Sequence, residues 1–155
     1  MLKTLVCLFM LLGSSQTDTF KKEAKVLEPA LDVIVNSTGA RITQSSKAAL
    51  IDGYGVFLTV EMAFESPTLP PPFGPPVNAQ ASKAAVAQRS KEIKEKVTAF
   101  VAERATKLES VGPDESFIVV IRIFNTNPAI LPDLPTQFTF STKKQSPSQV
   151  TFREF

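Results

Sequence analysis

Val56-Phe57-Leu58-Thr59-Val60-Glu61-Met62-Ala63-Phe64 is the stretch whose pattern decides the fold. Side chains on an extended chain change sides at every residue. Val56, Leu58, Val60, Met62 and Phe64 therefore form one apolar face, and Phe57, Thr59, Glu61 and Ala63 share the other. Phe117 to Phe124 (FIVVIRIF) is almost uninterrupted in its apolar character and reads as a central strand covered on both faces. Gln137 to Thr142 (QFTFST) alternates again, in the manner of a half-buried strand. Ala40 to Gln44 suits a short strand, and Ala48 to Asp52 suits another or part of a loop.

Between the first two strong strands the character changes twice. Pro67 to Pro76 (PTLPPPFGPP) carries six prolines in ten residues, with Phe73 among them. Proline lacks the N–H that a sheet or helix interior needs, so this is a stiff, extended surface connection rather than an SH3- or WW-type ligand. A long helix follows over about Ala81 to Ser110. Its stripe is Ile93, Val97, Phe100, Val101, Ala105 and Leu108, and Gly112-Pro113 ends it. An earlier, shorter helix starts near Leu27, with Leu31, Ile34 and Val35 on its apolar side, Pro29 in its first turn and Gly39 as its C-terminal cap. The order helix, strands, helix, strands predicts an α+β fold. It has a mostly antiparallel sheet of about four strands, with the long and the shorter helix packed on one face.

The chain of 155 residues holds one domain. Residues 27–145 are its expected extent, after a flexible segment over 16–26 and before a C-terminal tail over 146–155. Residues 1–15 read as a signal peptide. Lys3 supplies a positive charge, Leu5 to Leu12 (LVCLFMLL) is apolar, and Gly13-Ser14-Ser15 provides the small residues of a cleavage site. The run is shorter than the roughly 20 residues that span a bilayer, so no membrane span is expected once the signal is removed. Cys7 lies inside the run, not after it, which argues against a lipid-anchored cysteine. Processing would leave a chain without cysteine, which suits a bacterial periplasmic or extracellular protein better than a disulfide-stapled eukaryotic one.

The composition also bounds the chemistry. Histidine is absent, and Cys7 is the one cysteine. Ser-His-Asp catalysis and Cys/His zinc sites are thereby excluded, and the scattered carboxylates show no calcium-loop spacing. No cofactor and no metal are expected. With 17 Lys+Arg against 15 Asp+Glu and no basic cluster, no nucleic-acid partner is expected either. Ser141-Thr142-Lys143-Lys144 matches S-x-x-K, but at a strand end and without its companion motifs. Asn36-Ser37-Thr38, a glycosylation-like triplet, reads as a polar helix end.

Gly53-Tyr54-Gly55 precedes a strand rather than a helix. It reads as a tight turn or bulge with Tyr54 packed across it, not as a phosphate loop. Glu61 and Arg122 are the lone charges of their strands. Neighbouring strands would put both on one face, where a pairing is structural rather than catalytic.

Asp52-Gly53-Tyr54-Gly55-Val56-Phe57-Leu58-Thr59-Val60-Glu61, Pro72-Phe73-Gly74-Pro75-Pro76, the charged helix and Leu134-Pro135-Thr136-Gln137 together resemble a group of uncharacterised exported proteins of Acidobacteria and related soil bacteria. The resemblance covers about residues 48–145. It implies a bacterial, exported setting and no assigned activity.

The resulting expectation is a non-catalytic envelope protein that offers its sheet edge, proline loop or long helix to a protein partner. Two alternatives stand beside it. One is a hydrolase using paired carboxylates from Glu61, Glu65, Asp52 and Asp133. The other is a small apolar-ligand or lipid binder with an apolar cavity beneath the sheet or long helix.

Overall fold

The computed structural model describes residues 2–64, 78–126 and 128–155, with only the backbone of residues 2–15. Helix α1 (Leu2–Asn36) leads through a turn at Ser37–Gly39 into strand β1 (Arg41–Ile51). A tight turn then gives β2 (Gly55–Ala63), followed by α2 (Ala79–Lys107), β3 (Ser116–Ile123), β4 (Gln137–Lys143) and β5 (Thr151–Glu154). The strands form one five-stranded sheet in the order β1-β2-β3-β4-β5. The β2–β3 pair is parallel and the other three pairs are antiparallel. The α+β class is as the periodicity predicts, with one strand more than expected and a mixed sheet.

A parallel pair cannot be closed by a short turn, so the chain must travel back along the sheet, and α2 is that return. The predicted stripe is the one buried: Ile93, Val97, Phe100, Val101 and Ala105 lie at 0–5% exposure against the sheet. Asn78 caps the N-terminus, its Oδ1 accepting from the amides of Gln80 and Ala81 at 3.1 and 3.0 Å. The predicted face of β2 is buried throughout, with Val56, Leu58 and Met62 at 0%. It meets Phe117, Val119 and Ile121 of β3, Phe138 and Phe140 of β4, and Leu27, Leu31 and Val35 of α1 in one core.

Three expectations need correction. First, residues 16–26 are helical rather than flexible, and α1 is the longer helix, with Pro29 inside it. Its polar side chains are anchors. The Gln16 amide donates to the Ser110 carbonyl at 2.8 Å, and Glu23 accepts from the Glu109 and Ser110 amides and the Ser110 hydroxyl. One and two turns further on, Glu28 accepts from the Ala48 amide and Asp32 from the Ser46 amide, each at 2.9 Å. These bonds offset the roughly 3 kcal/mol that an interior proline costs a helix. They also occupy outward-facing amides of the edge strand β1, which two register shifts already distort.

Second, residues 146–155 are not a loose tail. Val150 and Phe152 pack on the core, and the Phe152 ring meets those of Phe138 and Phe140 in tilted contacts with centroids 5.6 and 5.1 Å apart. Lys94 of α2 lies over the Phe138 and Phe152 rings and donates to Glu154 at 2.7 Å. Third, β3 is covered on one face only. Phe117, Val119 and Ile121 are buried, while Ile118 and Val120 are half-buried on the other side and Arg122 is exposed.

The β1–β2 turn has two left-handed glycines, Gly53 at φ +74° and Gly55 at φ +115°. They differ in their surroundings. A Cβ on Gly53 would meet nothing within 4 Å, whereas one on Gly55 would run into the backbone of Ser116, whose amide bonds the Tyr54 carbonyl at 2.9 Å. Gly55→Ala is therefore expected to lower stability by about 3 kcal/mol or more, and Gly53→Ala by about 1 kcal/mol, in urea unfolding.

Asp32→Ala should cost about 1–3 kcal/mol. It removes the acceptor of both the amide and the hydroxyl of Ser46, a side chain 1% exposed. Hydrogen exchange at the Ser46 amide should quicken with it, while exchange in β4 should change only by the global loss.

Candidate functional site

Both helices lie on one face of the sheet, and neither covers the opposite face. Register places its side chains in rows across the strands. Ala49, Phe57, Ile118, Ser141 and Thr151 form one row, and Lys47, Thr59, Val120, Thr139 and Arg153 form the next. Gln44, Glu61, Arg122 and Gln137 form the third. Phe57, Ile118 and Val120 are half-buried by one another and by the threonines around them. They make an apolar centre on β2 and β3, with β-branched and hydroxyl neighbours on β4.

Charge is distributed unevenly around this centre. Lys47, Arg122, Lys143 and Arg153 are exposed on the face, Glu61 is the carboxylate among them, and Lys47, at the edge, also reaches Glu28 of α1 at 4.0 Å. The Thr43 hydroxyl donates to Glu61 at 2.9 Å. Glu61 and Arg122 are in-register neighbours on one face, as the sequence places them, yet no ion pair joins them among the described residues. The premise of a buried pair fails, because Arg122 is exposed and Glu61 only half-buried. Water solvates both, and an exposed pair gains little by holding two side chains in one geometry.

The other sequence-predicted residues lie elsewhere. Gly53 and Gly55 shape the turn at the end of β1, and Tyr54 is 69% exposed there instead of packing across it. Phe73 and the whole of 67–76 lie outside the described residues, as does Glu65. Of the remaining candidate acids, Asp52 sits in that turn, about 20 Å along β2 from Glu61. Asp133 lies on the helical side, in a cleft of about 520 Å³ with Lys83, Lys91 and Lys94. There it shares the wall with Glu154, which Lys94 already holds. Asp52, Glu61 and Asp133 are thus spread over three separate places. Lys144, the lysine of the S-x-x-K match, donates to the Val111 carbonyl at 2.7 Å. No group of three or more Cys, Asp or Glu that could hold a metal occurs among the described residues.

Two features were missed in the linear reading. Arg89 donates to the Phe64 carbonyl and reaches toward Gly39, tying α2 to the end of β2 and to the turn after α1. The second is that β3 shares this open face, which a nearly continuous apolar strand conceals because it looks the same whether one or two layers cover it. The Ile-Arg alternation at its end, Ile121-Arg122-Ile123, is the signal that could have found it.

Among the described residues no helix is long and apolar enough to cross a membrane. No family model, no curated protein and no solved structure matches the chain. The Glu61→Ala and Arg122→Ala effects on urea stability should be additive to within about 0.5 kcal/mol, as for charges that do not pair. A coupling energy above about 1 kcal/mol in the double-mutant cycle would show that the pair forms in solution.

Proposed function

We propose that the chain is an exported bacterial protein, periplasmic or extracellular, that works as a binding module of the envelope rather than as an enzyme. Its docking surface in this reading is the open sheet face, and its partner is a protein with an acidic, partly apolar surface. The observation that carries this is the apolar centre of Phe57, Ile118 and Val120 ringed by Lys47, Arg122, Lys143 and Arg153, on the face that neither helix covers. Half-buried apolar side chains favour a partner that removes them from water, and Arg122, Lys143 and Arg153, which make no ion pair among the described residues, favour a negative one. Export is supported by Lys3, the Leu5–Leu12 run and the small residues after it. It is compatible with the fold, because the anchors Gln16, Glu23, Glu28 and Asp32 all lie beyond residue 15 and survive its removal.

A paired-carboxylate hydrolase finds less support, since Asp52, Glu61 and Asp133 do not converge. A photo-reactive amino acid at Thr139, on the open face, tests the docking reading in cells expressing the full chain. Placed there it should give a discrete adduct with an acidic envelope protein, weakened by salt and abolished by Ile118→Asp. The same probe at Lys91, on the helical side, should give none. Adducts only with copies of the chain or with nucleic acid, or the same adduct from both positions, would refute the assignment.

A further inference from the structure

On the far side of the molecule, α1 and α2 lie side by side, and the groove between them holds two depressions that share Arg104. The larger, about 600 Å³, is walled by Pro29, Ala30, Val33 and Ile34 of α1 and by Ala99 and Phe100 of α2. The smaller, about 280 Å³, is walled by Lys22, Val26, Leu27, Lys107 and Leu108. Val26 and Val33 are 53% and 68% exposed, an unusual cost for two valines one above the other on a helix. The apolar strip from Val26 to Ile34 runs about 12 Å along the α1 axis.

The cations of this groove are not equally occupied. Lys107 donates to Glu103 at 2.6 Å, and this bond holds the Glu103 carboxyl below its usual range, helped by the nearby Arg104. Lys96 donates to the carbonyl and hydroxyl of Ser37, and Glu23 is taken up by the 109–110 backbone and the Ser110 hydroxyl. Arg104 is different. Its guanidinium lies over the Phe100 ring at 5.8 Å, and the half-buried side chain lines both depressions without an ion pair among the described residues. The part of a guanidinium that faces such a groove is a strong, fork-shaped donor for an anion. Lys22, in the smaller depression, also makes no ion pair among the described residues.

We propose that this groove binds a single-chain anionic amphiphile. Its carboxylate or phosphate head sits between Arg104 and Lys22, and its alkyl chain lies over Ala30, Val33, Ala99 and Phe100. The planar guanidinium reads the head, and the strip of small and branched side chains leaves the width that a chain needs. The site is independent of the sheet face, which lies across the core from it.

The test is calorimetric titration of the full chain with dodecyl phosphate below its micelle concentration, with dodecyl maltoside and inorganic phosphate as comparisons. One dodecyl phosphate should bind per chain, and the neutral amphiphile and bare phosphate should each bind at least about tenfold more weakly. Arg104→Gln and Val33→Asp should each weaken dodecyl phosphate about tenfold or more. Neither replaces a core residue, and both should melt close to the unliganded wild type, which separates lost binding from lost folding. Several results would overturn the assignment: no saturable uptake, unchanged binding by Arg104→Gln, or equal binding of the neutral amphiphile. So would co-sedimentation with phosphatidylglycerol vesicles, equal in wild type and Arg104→Gln, in place of one-to-one uptake, since it would assign the basic groove to a membrane surface.

Discussion

The parallel pairing of β2 with β3 is the constraint from which the rest of the molecule follows. Eight registered pairs, from Gly55 with Ser116 to Met62 with Ile123, align two strands that run the same way. The chain between them has to return the full length of the sheet, and a helix that satisfies its own backbone is the economical means. The start of the pairing tolerates nothing but glycine at position 55, because the Ser116 backbone occupies the space of a side chain. Once α2 covers one face, α1 can bury its own stripe of Leu27, Leu31 and Val35 only beside it. Neither helix reaches the second face, and the described residues hold no third helix to lay over it.

Polar contacts, more than additional apolar area, hold the periphery to this centre. Gln16, Glu23, Glu28 and Asp32 attach α1 to the backbone after α2 and to the edge of β1. Lys94 attaches β5 to α2, and Arg89 attaches α2 to the end of β2. Except for the Lys94–Glu154 ion pair, each is a charged or amide group bonded to a backbone group at an edge or an element's end that would otherwise be an orphan. This division of labour leaves the two sides of the molecule with different characters. One is a cation-rimmed sheet face; the other is a helical layer with a groove whose central arginine makes no ion pair among the described residues.

The features that were legible beforehand share one property: their cause is local. The alternation in Val56–Phe64 predicts its buried face residue by residue, and the stripe from Ile93 to Ala105 predicts the side of α2 that meets the sheet. The pair of glycines around Tyr54 announces a turn before a strand, and both have the left-handed φ that such a turn requires. The illegible features depend on partners far along the chain. Residues 16–26 look like a solvated linker because their polar side chains carry no periodic signal, yet Glu23 bonds backbone 86 and 87 positions away. Likewise, Thr151–Glu154 has four residues, too few for a pattern, and is a strand because β4 and Lys94 lie beside it.

The amino-acid order alone therefore determined the α+β class, the buried sides of β2 and α2, the turn at Gly53–Gly55 and the exclusion of histidine-based chemistry. These follow from side-chain period, glycine's backbone freedom and composition, none of which needs a neighbour. Only the tertiary structure decided that β2 and β3 run parallel, that β3 is covered on one face, that Glu61 and Arg122 stand in register without pairing, and that Arg104 lies between two helices with no ion pair among the described residues. Each of those is a relation between distant segments, set by which surfaces remain once the core has closed.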